Sequence, residues 1–275
     1  MISILLINLN KSKDRLLFQQ NQFKKLNLLL HRLPAIQGND LLPEEYENLA
    51  NGWERKLFPN EVACFLSHKA AWEYVAESNK PWLIMEDDAL LANSVPNILR
   101  AIINKNENNT DYVVLETRYR HKWLDKKSID LVDGYQMRRL YQDRNGSAAY
   151  ILFPSGARKL LLKAQRSKPA LADAFLSCSY ELNAWQVYPA AAIQLDQCNN
   201  YGLNFTNPFD STITLNTSRP KLDNFKDYCR FKLRRVIAQL RMGIRQLSVY
   251  KHAERIKVPI RNDDFDVNLE NYFQF

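Results

Sequence analysis

Short apolar segments alternate with amphipathic segments along the first two thirds of the chain. Residues 2–9 form a mostly apolar run, which is typical of a buried strand. A helical pattern follows over 14–29, and a second strand pattern over 32–36. This order predicts a β-α-β unit, whose two strands pair in parallel.

The same two patterns continue to about residue 193. Helical spacing recurs over 61–77, 95–103 and 155–165, and strand patterns recur over 82–85, 112–115, 135–140, 147–153 and 185–193. Residues 41–56 form an insertion of uncertain structure, and we expect 118–133 to be irregular. Because strands and helices alternate, the sequence predicts an α/β fold with a mixed central sheet.

The sequence becomes strongly basic after residue 218. Apolar positions between 225 and 247 recur at helical spacing, and Lys or Arg fills much of the opposite side. The window 219–251 contains ten Lys and Arg but only two Asp, so it carries the whole net charge of +8. We therefore expect an α/β body over 1–218 and a basic, helical extension over 219–275.

The basic extension has two interpretations. Its apolar stripe packs on the body, or it binds a membrane whose anionic lipids attract the cations. We favour the membrane because the charge excess is concentrated in this one segment. The rest of the chain has no net charge, which argues against a nucleic-acid-binding groove.

Composition narrows the expected cellular setting. The four cysteines have no CxxC spacing, so we expect reduced thiols in a cytoplasmic protein. The first residues lack a basic leader, and no stretch approaches the ~20 apolar residues of a membrane span. The seven glycines form no GxG motif, which argues against dinucleotide-binding and P-loop chemistry.

Three consecutive acids follow the strand pattern at 82–85: Glu86, Asp87 and Asp88. Ligands of α/β folds bind at the carboxyl ends of strands. Strand alternation places Glu86 and Asp88 on one face and Asp87 on the other. Two converging carboxylates are typical ligands of Mg²⁺ or Mn²⁺. The alternative is a solvated loop or a helix cap without a metal.

Two other side chains are candidates for chemistry. His68 lies between Phe65 and Trp72 on one face of a helical pattern. It is either a hydrogen-bonded core histidine or a donor to a diphosphate or sugar. Asp173 stands alone among small and apolar residues. Burial there raises a carboxyl pKa and suits a general base, whereas the alternative is a helix N-cap.

Six segments, in order, resemble glycosyltransferase family 25, the lipooligosaccharide galactosyltransferase family that is also similar to collagen galactosyltransferases. They are 7–9 with 14–15, 34–38, 61–68, 84–89, 146–162 and 173–176. The resemblance implies a GT-A-like nucleotide-sugar-binding fold, a UDP-sugar donor (most often UDP-galactose), Mn²⁺ or Mg²⁺, and inversion at the anomeric carbon. Where the family typically has Pro-Val-Asp, this chain has Leu171-Ala172-Asp173.

The resemblance also implies roles by position. Asp88 matches a metal ligand, and Glu86 matches a contact to the metal or to the ribose. Asp173 matches the base that deprotonates the acceptor hydroxyl. The other residues expected to bind the donor are Asn8, Leu9, Ala35, Gly38, Ser67, His68 and Asp87.

The implied acceptor is a lipid-linked oligosaccharide of lipooligosaccharide or lipopolysaccharide. Together with the basic extension, this predicts a peripheral enzyme on the inner face of the bacterial inner membrane. The alternatives are a glucose or N-acetylhexosamine donor, or a non-catalytic carbohydrate-binding protein that kept the fold. A sugar-phosphate nucleotidyltransferase would need a glycine-rich phosphate loop near the N-terminus, and residues 8–14 contain no glycine.

Overall fold

A large mixed β-sheet organises the chain. The computed structural model describes residues 2–105, 109–143, 146–205, 207–209, 225–268 and 270–273. In these residues nine strands form one sheet and three short strands form another, with helices packed around them. The expected mixed α/β fold is confirmed, and the narrower GT-A assignment stays a prediction.

The strands and helices are numbered in chain order. The strands are β1 Ser3–Asn8, β2 Leu30–Pro34, β3 Trp82–Glu86, β4 Ala89–Leu91, β5 Tyr112–Val114, β6 Glu116–Thr117, β7 His121–Asp130, β8 Gln136–Gln142, β9 Ala149–Leu152, β10 Ala184–Tyr188, β11 Ala192–Gln194 and β12 Ala253–Lys257. The helices are α1 Lys13–Lys25, α2 Pro43–Ala50, α3 Pro59–Ser78, α4 Val95–Asn104, α5 Pro154–Arg166, α6 Ala172–Ser177, α7 Phe225–Val249 and α8 Glu270–Phe273.

The strand order of the large sheet is β12-β7-β8-β10-β5-β9-β3-β1-β2. Strand β1 pairs in parallel with β2 and with β3, as the β-α-β pattern predicts for the first pair. Parallel strands have their carboxyl ends at the same edge of a sheet. Asn8, Pro34 and Glu86 therefore end three neighbouring strands at one edge.

Strand β1 shows how the core divides between the two faces of this sheet. Its alternate side chains, Ile4 and Leu6 against Leu5 and Ile7, enter two separate apolar clusters. The first cluster includes Phe18 of α1, and the second includes residues of α3. Because both faces are covered, the strand sequence is apolar at nearly every position.

The prediction that 118–133 is irregular is wrong, because His121–Asp130 is the ten-residue strand β7. Its side chains are mostly polar, and only Lys122 and Leu124 are buried. The strand pairs with β8 and with β12, and its register against β8 shifts on both sides of Leu124. A polar strand next to the sheet edge has no apolar run to reveal it.

Two other segments are more structured than their patterns indicate. The insertion at 41–56 contains helix α2, with Pro43 at its first turn. The extended segment predicted at 185–193 is divided between β10 in the large sheet and β11 in the small one. A cis Tyr188–Pro189 bond separates the two strands.

The C-terminal segment contains helix α7 and then returns to the large sheet. Strand β12 pairs antiparallel with β7, from Ala253 opposite Asp125 to Lys257 opposite His121. The extension is therefore not helical throughout, which corrects that part of the expectation. The expected boundary at 218 lies outside the described residues. None of the described helices is both long enough and apolar enough to cross a membrane.

Candidate active site

The acidic triplet lies at the tight connection between β3 and β4. Strand β3 ends at Glu86, Asp87 and Asp88 form the turn, and β4 begins at the next residue. As strand alternation predicts, Glu86 contacts α3, whereas Asp87 contacts α1. Each of the three acids therefore has different surroundings.

Asp87 is held by protein groups on both of its carboxylate oxygens. Asn8 Nδ2 donates to Oδ2 at 2.7 Å, and Arg15 Nη1 lies 3.1 Å from Oδ1. Gln19 also donates to the backbone oxygen of Asp87 at 3.2 Å. These contacts join the carboxyl ends of β1 and β3 to helix α1. Asp87 thus holds the turn in place.

Glu86 accepts two hydrogen bonds through one oxygen. Ser147 Oγ lies 2.6 Å and His68 Nε2 lies 3.2 Å from Oε1. Burial opposes ionisation of Glu86, but the hydrogen bonds from His68 and Ser147 outweigh it and lower the pKa of Glu86. Glu86 is therefore a carboxylate at neutral pH.

His68 is buried and has a hydrogen-bond partner for each ring nitrogen. A carboxylate only accepts, so the proton on Nε2 points to Glu86, and the tautomer with that proton accepts through Nδ1. The Tyr150 hydroxyl, 2.9 Å from Nδ1, is then the donor, and it accepts from Trp72 Nε1 at 2.9 Å. This chain of contacts matches the core interpretation of His68, with Glu86 as its outer end.

Asp88 differs from its neighbours in one atom. Its Oδ1 is buried and has no hydrogen-bond partner among the described residues. Burial and the negative charges of Glu86 and Asp87 raise the pKa of Asp88 to about 7. An unpaired, buried carboxylate oxygen beside other carboxylates fits a divalent cation, which would supply the missing positive charge.

Cys64 lies close to the same carboxylates. Its Sγ and ligand atoms of His68 and Glu86 lie within 4.8 Å of one another. Burial and the charges of Glu86, Asp173 and Asp88 raise the pKa of the Cys64 thiol. Metals bind the thiolate, so this protonated thiol is a poor ligand. His68 is already hydrogen-bonded to Glu86. The oxygen ligands of the turn fit a cation better.

Asp173 lies in the first turn of α6, where burial raises its pKa. Its Oδ1 accepts the N–H of Ala174 at 2.7 Å. The charges of Glu86 and Arg118 also act on its carboxyl, so Asp173 belongs to the same electrostatic neighbourhood as the acidic turn. A partly buried carboxylate of raised pKa can accept a proton at neutral pH.

The other predicted donor-binding residues lie where β1 and β2 end. Leu9 directly follows β1, and the N–H of Ala35 donates to the backbone oxygen of Asn8 at 3.0 Å. Ser67 Oγ accepts the N–H of Ile36 at 2.9 Å, which ties this edge to α3. Their backbones are thus gathered at the sheet edge beside the acidic turn.

Gly38 has a packing reason for its identity. It is buried against the first turn of α3. A Cβ at this position would lie 2.3 Å from Asn60 Oδ1 and 2.7 Å from the Asn60 backbone nitrogen. The glycine allows the short helical turn at 38–40 to approach α3.

Sequence reasoning missed two charged residues near the turn. Arg118 donates to Asp196 at 2.8 Å and to Gln194, and its charge lowers the pKa of Glu86. Glu116 is buried, and its Oε2 has no hydrogen-bond partner among the described residues. Both follow the strand pattern at 112–115, and their place after that strand was the available signal.

Glu116 is held mainly by backbone. Its Oε1 accepts the N–H of Ala148 at 2.5 Å. Burial raises the pKa of Glu116 to about 8, although the Lys122 ammonium opposes the shift. Gly146, with φ of +124°, closely approaches this carboxyl, since a Cβ there would lie 2.9 Å from Oε1. Glu116 is thus a buried acid close enough to the acidic turn for the charge of Glu86 to act on it.

The chain is similar to known proteins of one family. The model of glycosyltransferase family 25, described as LPS biosynthesis protein, matches residues 1–176. A glycosyltransferase 25 family member of Drosophila pseudoobscura pseudoobscura is 25% identical over 209 residues. That alignment covers 68% of this chain and 31% of the relative, so the chain spans about a third of the fly protein.

A bacterial relative is similar over more of its own length. The lipooligosaccharide biosynthesis protein lic2B of Haemophilus influenzae is 24% identical over 200 residues, which are 70% of this chain and 75% of the relative. The family match extends through the acidic turn and ends within α6, after Asp173. The chain therefore belongs to glycosyltransferase family 25.

Proposed function

We propose that this chain is a metal-dependent, inverting glycosyltransferase that moves galactose from UDP-galactose to a saccharide of lipooligosaccharide or lipopolysaccharide. Family membership supports a glycosyltransferase, and the name of the Haemophilus relative supports lipooligosaccharide as the acceptor class. The observation that carries the metal-dependent part is the buried Oδ1 of Asp88, beside Glu86, which has no hydrogen-bond partner in the described part of the chain.

Asp88 and Glu86 are the proposed holders of Mn²⁺ or Mg²⁺. Asp88 offers Oδ1, and both hydrogen bonds to Glu86 from His68 and Ser147 reach the same oxygen, Oε1. A divalent cation bound here would offset the negative charge that the departing diphosphate gains. Asp87 keeps the turn in place through Asn8 and Arg15.

Asp173 is the proposed general base. It accepts the proton of the acceptor hydroxyl, whose oxygen then forms a bond to C1 of the donor sugar. The bond from C1 to the UDP oxygen breaks, and UDP leaves with that electron pair. Inversion follows because attack and departure occur on opposite faces of C1. Arg118, whose charge acts on both Glu86 and Asp173, is positioned to bind an anionic donor.

The nucleotide site, the donor sugar and the location of the acceptor are proposed on separate grounds. Asn8, Leu9, Ala35 and Gly38 mark the sheet edge where the nucleotide would bind. Galactose is the sugar that the sequence resemblance favours, with glucose and N-acetylhexosamine as alternatives. A lipid-linked acceptor and the basic helix α7 together support a peripheral location on the cytoplasmic side of a membrane.

UDP release tests the proposal most directly. We would supply a panel of UDP-sugars to the full chain, with Mn²⁺ or with EDTA, and compare wild type with Asp88→Ala. The expected result is Mn²⁺-dependent release that is highest with UDP-galactose and lost in Asp88→Ala. Activity that survives both EDTA and the substitution would contradict the metal, and inactivity with every donor would favour a non-catalytic carbohydrate-binding protein.

A further inference from the structure

Helix α7 exposes the side that an amphipathic helix normally buries. Its apolar residues recur every three or four positions and form one stripe. The large residues of this apolar stripe are between 51% and 79% exposed: Phe225, Leu233, Val236, Leu240, Ile244 and Leu247. The alternative interpretation, that the stripe packs on the body, is therefore wrong for these residues.

The helix is attached to the body through its opposite side instead, which carries its two buried apolar residues as well as arginines. Arg234 Nη1 donates to the backbone oxygens of Asn51 at 2.6 Å and of Trp53 at 3.0 Å. Near the C-terminal end of the helix, Arg245 lies over the Tyr180 ring, 4.5 Å from its centroid. These contacts, near the middle and near the end of α7, hold its apolar stripe away from the body.

Cations border the apolar stripe. On a helical projection, Arg230 and Arg241 lie on one side of the stripe and Lys232 on the other, and all three are exposed. Asp227 is the only acid in the helix. Long basic side chains beside an apolar face place their charges at the level of lipid head groups while the apolar face enters the bilayer.

We propose that α7 is a membrane-docking helix that lies in the plane of an anionic bilayer, with its apolar stripe in the acyl region and its cations on the lipid phosphates. The charge pattern favours this occupant over a second copy of the chain. Two such helices packed stripe to stripe would bring their cationic borders together, whereas anionic lipids neutralise them. The helix is also unsuited to span the bilayer.

The orientation of the docked protein also determines which side faces a lipid-linked acceptor, an inference that rests on the proposed function. Tyr180, under Arg245, follows α6 by three residues, and α6 carries the proposed base Asp173. Docking through α7 therefore brings the α6 side of the protein near the lipid surface. An acceptor on a lipid anchor would be presented to that side.

Vesicle co-sedimentation of the full chain tests the docking helix. The probes are vesicles of phosphatidylcholine alone and of phosphatidylcholine with phosphatidylglycerol. The wild type is expected to bind the anionic vesicles, and Leu233→Glu/Leu240→Glu to lose at least about tenfold in binding. Leu162→Glu, an exposed leucine on α5, is the matched control and should bind like wild type.

The cations are tested separately. Lys232→Gln/Arg241→Gln should weaken binding to anionic vesicles by about tenfold or more, since each cation near an anionic surface contributes ~1 kcal/mol. Lys127→Gln, an exposed lysine on β7, is the matched control. Equal binding to both vesicle types, or no effect of either double substitution, would overturn the proposal.

Size-exclusion chromatography without lipid tests the competing occupant. A wild-type dimer that Leu233→Glu/Leu240→Glu converts to monomer would assign the stripe to a second copy and overturn membrane docking. A monomer in both cases supports it. Donor hydrolysis in vesicle-free solution should be unchanged in these variants, so that failure of docking and failure of the proposed transferase activity are distinguishable.

Discussion

Asn8 donates a hydrogen bond of 2.7 Å to Asp87 across 79 residues of chain, and so joins the carboxyl ends of β1 and β3. Arg15 completes the arrangement on the other carboxylate oxygen. The next acid, Asp88, has one buried oxygen that no described residue pairs with. Asp87 thus has protein partners on both carboxylate oxygens, whereas its neighbour Asp88 has an oxygen available for a ligand.

Substituting each of these two acids should separate structure from metal binding. We expect Asp87→Asn to cost about 3 kcal/mol of unfolding free energy, because buried Arg15 loses its counter-charge. Asp88→Asn should leave stability unchanged or raise it in EDTA, since it removes repulsion with Glu86. Urea unfolding measures both. Equal losses would contradict the distinction between the two acids.

Metal affinity should depend on Asp88. Asp88→Asn is expected to weaken Mn²⁺ binding by more than about tenfold, since even residues behind the ligands change affinity by that much. Isothermal titration with Mn²⁺ in the absence of donor measures this without relying on activity. Asp40→Asn, an exposed acid at the end of the short helical turn, is the control. Unchanged affinity in Asp88→Asn would show that the cation binds elsewhere.

The proposed base should affect chemistry and not donor binding. Asp173→Asn is expected to lower kcat by about 10²- to 10⁴-fold, because the amide cannot take the acceptor proton. Its oxygen can still accept the Ala174 N–H, so the local fold is kept. Glu181→Gln, an exposed neighbour, is the control. Near-wild-type transfer would remove Asp173 from the mechanism.

The same carboxyl should contribute to the acidic limb of the activity profile. Burial raises the pKa of Asp173, so the base becomes deprotonated at a higher pH than an ordinary aspartate. Activity should therefore increase with pH through a midpoint above the usual aspartate value. The pH dependence of kcat/KM measures it, and activity that stays level down to the ordinary aspartate range would count against the assignment.

Glu116 should make stability depend on pH. Its pKa is about 8 in the folded protein and 4.5 ordinarily, so the folded state binds the extra proton between these values. Stability should fall as pH rises from about 5 to 8, by up to about 1.4 kcal/mol per pH unit. Glu116→Gln should flatten this slope and keep an oxygen for Ala148 N–H. Urea unfolding at several pH values measures the slope, and identical slopes would contradict the prediction.

The buried hydroxyl of Tyr150 should contribute more to stability than an exposed tyrosine hydroxyl does. Tyr150→Phe leaves the buried N–H of Trp72 without its acceptor and His68 Nδ1 without its donor. We expect a loss of about 2 kcal/mol in unfolding free energy. Tyr74→Phe, which removes a more exposed hydroxyl, is the control. Thermal or urea unfolding measures both variants. An equally small loss of stability in the two would contradict the prediction.

The fold could be predicted where burial is strong. Strands such as β1 and β3 are apolar along their length, because helices cover both faces of the sheet. Strand β7 could not be found this way, since it is polar and its partner β12 lies more than 120 residues later. Local patterns carry no information about a partner so distant.

The positions of the acids in the candidate site could be predicted from the sequence, but their hydrogen-bond partners could not. Glu86, Asp87 and Asp88 stand together in the sequence, and strand alternation separates the faces of Glu86 and Asp87. The link from Glu86 through His68 to Tyr150 joins three distant elements and leaves no local motif. Glu116 looks like any other acid until its burial is known.

Strand β12 has a consequence for how this protein is handled. It covers the outer edge of β7 after the chain has passed through α7. A version shortened at residue 218 would replace the five-residue edge strand β12 with the ten-residue β7, and so expose a longer row of unpaired backbone groups, which is a template for aggregation. Such a fragment would also lose Val258, Phe265 and Tyr272 from the two apolar clusters, so its precipitation would say nothing about the stability of the full chain. Polar substitutions on α7 are the safer route to a well-behaved sample.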